Sequence, residues 1–145
     1  MLDANLIKMY EQSFRDNREM SAVTNYFTGE TYSYYGFAKE IAKLHLLFDE
    51  AGLKHGDKIA LVGQNTPRWC AVYIATITYG AVIVPIMQTF TSNDIAHIVN
   101  HSESRLLFLT DSYWEGLDEE GMPNVECVFS ITDYHAIFER NGDKL

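Results

Sequence analysis

Residues 58–110 read KIALVGQNTPRWCAVYIATITYGAVIVPIMQTFTSNDIAHIVNHSESRLLFLT, and this stretch decides the fold. Lys58-Ile-Ala-Leu-Val-Gly63 is a short apolar run bounded by turn residues, the pattern of a strand buried on both faces. Thr66 then stands at a helix N-cap and Pro67 at the first helical position, where a missing N–H costs nothing. From Arg68 to Tyr79 the sequence is apolar almost all round, through Trp69, Cys70, Val72, Tyr73, Ile74 and Ile77. That predicts a helix lying in the interior, Trp69 included, rather than half in water. Gly80 ends it, and Ala81 to Ile86 is a second strand of the same continuous apolar kind. Ser92 is the expected cap of a further helix to about His101, and Arg105-Leu-Leu-Phe-Leu-Thr110 is the next strand. Strand, helix, strand, helix, strand implies an α/β fold: a mainly parallel sheet with helices on both faces and right-handed crossovers.

Working outward, Asp3 to Phe14 places Leu6, Met9, Tyr10 and Phe14 at helical spacing, with Lys8, Glu11, Gln12 and Arg15 outside, so a short amphipathic helix opens the chain. Ser21 to Phe27 and Glu30 to Tyr32 are β-prone runs about Thr28-Gly29, a hairpin. Ser33 caps a long helix to about Ala51 with a buried stripe of Phe37, Ile41, Leu44, His45 and Phe48, and Gly52 stops it. Lys54-His-Gly-Asp57 is a tight turn into the first core strand. Beyond Thr110 the signal weakens. Asp111 to Leu117 has room for one or two helical turns, Asp118-Glu-Glu-Gly121 is a solvated acidic loop, and Val125 to Ile131 is a strand. From Thr132 the chain turns polar; Asp133-Tyr-His135 has no reading by itself, and no final element is expected before Leu145.

Composition narrows the possibilities. Apolar residues make up 47% and charged residues 21%, as in globular domains, and 145 residues suffice for one core. The longest apolar run, Ala81 to Met87, contains a proline and falls far short of a membrane span. The net charge of −9 argues against nucleic acid or an anionic membrane as partner. The first residues lack the basic and apolar regions of an export signal. Cys70 and Cys127 stand apart in apolar surroundings, as reduced core thiols do. A cytoplasmic setting is therefore expected.

Three constellations invite a chemical reading. His97 and His101 lie at i and i+4 on one helical face with Asp94 before them, but Ile98 stands where a zinc-protease helix needs its glutamate base. The reading favoured is a helix-face pair. Gly63-Gln-Asn-Thr66 joins a strand to a helix N-terminus, where open sheets bind phosphates. With one glycine and no lysine it matches neither the phosphate-loop nor the dinucleotide fingerprint, and capping accounts for it. No Gly-x-Ser-x-Gly elbow is present, and neither cysteine has a base beside it. His45 on its apolar stripe reads as a satisfied boundary histidine.

Thr31 to Leu107 resembles the N-terminal part of the AMP-forming acyl-CoA synthetases, the adenylate-forming superfamily that includes luciferase. The matching phrases are Thr31-Tyr32 before a capped helix, Gly52-Leu-Lys-His-Gly-Asp-Lys58 before a strand, and Asn65-Thr-Pro-Arg-Trp69. Tyr79-Gly-Ala-Val-Ile-Val-Pro-Ile86 and Ile95-Ala-His-Ile-Val-Asn-His-Ser-Glu103 follow in the same order, and look most like the long-chain fatty acid CoA ligases. The resemblance implies that residues 1–145 are an N-terminal fragment of a large adenylation domain. Its parent would join a fatty acid to coenzyme A through an acyl-adenylate, using ATP and magnesium and releasing pyrophosphate and AMP. The family's phosphate loop, nucleotide-contacting motifs and catalytic lysine would lie beyond Leu145. No catalytic, cofactor-binding or metal residue is therefore assigned here, and the fragment is expected to be inactive and to bind no cofactor. Its expected partners are the remainder of the ligase and, through uncovered apolar strands, other copies of itself. The alternatives are a self-contained α/β binding or interaction module, and an adenylate-forming enzyme acting on an aryl or amino acid. A flavodoxin-like nucleotide binder is disfavoured, because the first strand–helix turn is no phosphate cradle.

Overall fold

The structure, a computed structural model, describes residues 2–25 and 28–140, with side chains from residue 7 onward. Helix α1 (Leu2–Asp16) leads into strands β1 (Ser21–Thr24) and β2 (Thr31–Ser33), paired as the expected hairpin with Val23 opposite Tyr32. Ile7, Tyr10 and Phe14 line a cavity of about 350 Å³ shared with Ile41, His45 and Ile74 of the following helices. Met9 does not join them: at 100° per residue it falls on the far side of α1 and is 67% exposed. The side chain of Leu6, together with Tyr26 and Phe27 of the expected first strand, lies outside the described residues.

Helix α2 (Tyr34–Glu50) begins where expected, the Gly36 N–H donating to Ser33 Oγ at 3.0 Å. It ends in a Schellman turn: Gly52 takes φ +76°, Leu53 N donates to Phe48 O at 3.0 Å, and Gly52 N to Asp49 O at 3.1 Å. Phe37, Leu44 and Phe48 are buried on its core face, whereas Ile41 and His45 are half-buried at the margin. Strand β3 (Lys58–Val62) leads to helix α3 (Pro67–Tyr79), capped by Thr66 Oγ1 accepting from Trp69 N at 3.2 Å. No residue of α3 is fully exposed, but complete burial is confined to Pro67, Ala71, Val72, Ala75 and Thr76. Trp69, Tyr73, Ile74 and Ile77 are only half-buried, which corrects the expectation of an interior Trp69. The close-packed face is built of small side chains, and the bulky ones are pushed to the rim.

Strand β4 (Val82–Ile86), helix α4 (Ser92–Ser102), strand β5 (Leu106–Leu109), a 3-10 helix (Asp111–Gly116), and strands β6 (Cys127–Ser130) and β7 (Ala136–Glu139) complete the order. The cap of α4 is Thr91, not Ser92: only Thr91 lies three residues before the N–H it accepts, that of Asp94, at 3.2 Å. The sheet runs β4-β3-β5-β6-β7, parallel except for the β6–β7 pair. Strand β7 is a correction to the expectation of no final element. Asp133-Tyr-His135 belongs to the turn that returns the chain along β6, with Tyr134 at φ +64°.

Strands β3, β5 and β6 are apolar on both faces because both faces are covered. Ile59, Leu61, Phe108 and Phe129 pack with α2 and α3, while Ala60, Val62, Leu107, Leu109 and Val128 pack with Ile95 and Val99 of α4. Strand β4 departs from the expected two-sided burial. It is the outermost strand, with only β3 beside it among the described residues, so Val82 and Pro85 are exposed.

Candidate functional site

In open α/β sheets ligands bind beyond the carboxyl ends of the strands, where the connections diverge to opposite sides. Here the chain leaves β3 toward β4 on one side and leaves β5 toward β6 on the other, so the divergence falls between β3 and β5. A cavity of about 250 Å³ opens there. Gln64 and Thr66 after β3, Thr110 after β5, Thr132 after β6, and Glu30 and Tyr32 of the hairpin line it. Gly63 allows the strand ends to close up beneath it. A Cβ at that position would lie 2.5 Å from Thr110 Oγ1, 2.9 Å from Ile131 Cδ1 and 3.2 Å from the backbone nitrogen of Thr110.

Arg68, on the first turn of α3, is the cation of this cleft. Its guanidinium donates to Thr132 O, sits 5.8 Å from the Tyr134 ring centre, and brings Nε to 4.0 Å from Glu40 Oε2. Nε is buried with no hydrogen-bond partner among the described residues, and so is the Tyr134 hydroxyl. Burial, followed by the Glu40 carboxylate, pushes the Tyr134 phenol far above its ordinary range. Tyr32 donates to Glu30 Oε1 at 2.9 Å, and burial with that bond raises it to about 12. Neither phenol ionises near neutrality, and of the two Tyr32 is the one that donates, to Glu30.

Beside the cleft lies a second cluster. Ser130 Oγ donates to Asp111 Oδ1, His135 Nδ1 pairs with Asp133 Oδ1, and His135 Nε2 stands 3.9 Å from Asp111 Oδ2. Asp133 and its contacts hold the His135 imidazolium above the usual histidine range. This is not a nucleophile–base pair: the serine donates to a carboxylate and both imidazole nitrogens face carboxylates.

The residues singled out from sequence scatter. His97 and His101 stack at 6.1 Å between ring centres, exposed on α4, across the sheet from α3. His45 is satisfied, with Nε2 3.1 Å from Ala75 O and 3.0 Å from Thr78 Oγ1. Cys70 and Cys127 form no disulfide with one another, and burial raises the Cys70 thiol. The acidic loop is exposed, and Asp118 Oδ1 accepts from Gly121 N at 2.7 Å. Among the described residues no three His, Cys, Asp or Glu side chains converge as a metal site. In the loop after β3, Thr66 Oγ1 is engaged as the cap of α3 and Arg68 donates to Thr132 O. What sequence reasoning missed is the joining of Arg68, Tyr134 and Glu40. The only trace of it was the position of Arg68 directly after a Thr-Pro cap.

Residues 10–141 match the family described as AMP-binding enzyme. The chain belongs to that family. A fatty acid–[acyl-carrier-protein] ligase, ScoC, of Streptomyces coeruleorubidus is 28% identical over 127 residues, 88% of this chain and 24% of that protein. Long chain acyl-CoA synthetase 1 of Arabidopsis thaliana is 27% identical over 89 residues, 61% of this chain and 13% of its own. Among solved structures, the anthranilate CoA ligase AuaEII in complex with anthranoyl-AMP superposes with a TM-score of 0.81. That match covers 88% of this chain and 25% of the ligase at 14% identity, and so shows the shared fold alone. The chain spans a quarter or less of the length of these relatives. As an AMP-binding enzyme domain it contributes the parallel sheet and its carboxyl-end cleft. No helix among the described residues is long and apolar enough to cross a membrane.

Proposed function

We propose that this chain is the N-terminal scaffold of an ATP-dependent long-chain fatty acid CoA ligase. The family match over residues 10–141 carries the reading. The fatty acyl relatives, and the resemblance of residues 79–103 to fatty acid CoA ligases, support its finer part. In the whole enzyme a fatty acid carboxylate attacks the α-phosphorus of ATP, pyrophosphate departs, and the thiol of coenzyme A then displaces AMP from the acyl-adenylate. This chain's share is positional. Gly63 and Thr110 bring the ends of β3 and β5 together, and Arg68 ties the loop after β6 to α3. The nucleotide-binding groups and the magnesium ligands belong to sequence after Leu145 in this reading, as does the pocket for the acyl chain. A cytoplasmic setting goes with it, supported by two cysteines that sit in apolar surroundings without forming a disulfide.

Two measurements test the reading. Titration calorimetry of this chain with Mg-ATP at about 1 mM is expected to give no saturable heat; a clear isotherm overturns the scaffold role. The open reading frame extended past Leu145, expressed and supplied with ATP, magnesium, coenzyme A and carboxylic acids of graded length, is expected to release pyrophosphate fastest with long-chain fatty acids. Preference for aryl or amino acids, or transfer only to an acyl carrier protein, overturns the substrate or acceptor assignment.

A further inference from the structure

We propose that His97 and His101 form a two-imidazole chelate for a late first-row divalent cation: zinc, nickel or copper. The inference is independent of the ligase reading. Both rings are exposed, neither has a hydrogen-bond partner among the described residues, and they stack at 6.1 Å with 17° between planes. A metal 2.0–2.1 Å from one nitrogen of each ring holds the ring centres roughly 5–6 Å apart, near the observed separation, and exposed side chains are free to turn their nitrogens toward it. The backbone beneath is held in place. Ile95 and Val99 are buried on the opposite side of α4, Thr91 caps its start, and Ser104 N bonds to Val99 O at its end. Ligand spacing is thus set before the metal arrives.

The field at the site favours a cation. His101 occupies the last helical turn, where the carbonyl ends carry partial negative charge. Asp94 lies one turn before His97, Glu103 follows His101 closely, and the whole chain carries −9. Imidazole nitrogens select zinc, nickel and copper over magnesium and calcium, with copper the tightest of the series. Two protein ligands leave the remaining coordination positions to water. With Ile98 where a hydrolytic helix carries its glutamate, the site binds and exchanges metal without hydrolysing a substrate.

The test is a titration of the chain with zinc chloride and nickel chloride separately, followed by calorimetry and by amide NMR. One equivalent is expected to bind, with the largest shifts at residues 94–103 and a higher Tm in the presence of metal. His97→Gln and His101→Gln are each expected to weaken binding at least about tenfold, the smallest loss seen even for outer-sphere partners. His55→Gln and His135→Gln are expected to leave it unchanged. All four side chains are exposed, so the variants keep the fold, and circular dichroism verifies this. Absence of saturation up to about 1 mM free metal, equal affinity in either helix variant, or loss of binding on replacing His135 overturns the proposal.

Discussion

Phe108→Ala is the substitution that most directly tests the packing described here. Phe108 lies on β5, the middle strand of the five, with no solvent exposure. Its ring meets Phe48 of α2 edge-on at 6.0 Å and lies 5.1 Å from Phe129 of β6, so it joins helix layer and sheet. Truncating a buried phenylalanine to alanine costs about 3–5 kcal/mol, through lost transfer energy and the cavity left behind. Each aromatic pair adds about 0.5–1.5 kcal/mol beyond area burial, which favours the upper part of that range. A domain of this size holds about 5–15 kcal/mol in total and loses roughly 2–4 °C of Tm per kcal/mol. Phe108→Ala should therefore lower Tm by about 6–20 °C while remaining folded in the cold. Trp69→Ala is the control: the larger residue, but half-buried at the rim of α3 and stacked on Tyr73 at 5.7 Å, should cost less than half as much. Urea melts of both variants decide the matter through the shift in midpoint at constant slope. A loss below about 1 kcal/mol for Phe108→Ala, or a Trp69→Ala loss equal to it, refutes the assignment of core and rim.

Gly63→Ala forces a methyl group against Thr110 and Ile131 and should cost about 1–3 kcal/mol in urea melts. Adding Thr110→Ala removes the nearest atom and should recover part of the loss, and strict additivity in the double-mutant cycle would refute the close approach. The Asp133–His135 pair carries a pH signature: His135 N and Nδ1 bonds depress the Asp133 carboxyl, and Asp133 raises the His135 imidazole. Its contribution is complete between about pH 4 and 6.5, fading in acid as Asp133 protonates and at higher pH as His135 passes its raised midpoint. By NMR titration, Asp133→Asn should lower the His135 midpoint, and no change would refute the pairing. Light scattering of this chain at increasing concentration should show self-association, because Val82 on the outer strand β4 and Met87 directly after it are 45% and 64% exposed. A strict monomer would favour a self-contained module.

Local signals were legible because their physics spans only a few residues. Ser33, Thr66 and Pro67 start helices, and Gly52 and Gly80 end them, through hydrogen bonds that reach no further than one turn. The continuous apolar runs of β3 and β5 announced a sheet covered on both sides, and the ordered phrases from Thr31 to Glu103 announced the family. Strand β7 was invisible because four residues acquire a strand conformation only by pairing with β6, not from their own preferences. Thr91 and Ser92 both suit a cap, and only the helix's final register chose between them. The rim position of Trp69 depended on small residues opposite it packing closely, which composition around the helix does not reveal.

The cleft belongs wholly to tertiary structure. Arg68 and Thr132 are 64 residues apart, Glu40 reaches Arg68 from another helix, and their meeting at one sheet end follows from β5 inserting beside β3 opposite β4. The stacking of His97 on His101 is the intermediate case, since helical spacing placed the rings on one face and only the packed chain left that face open to water. Sequence alone determines what neighbouring residues can do for one another through short hydrogen bonds and periodic burial. Which distant groups come to share a cavity depends on strand order, because pairing joins segments whose separation along the chain carries no local energetic mark.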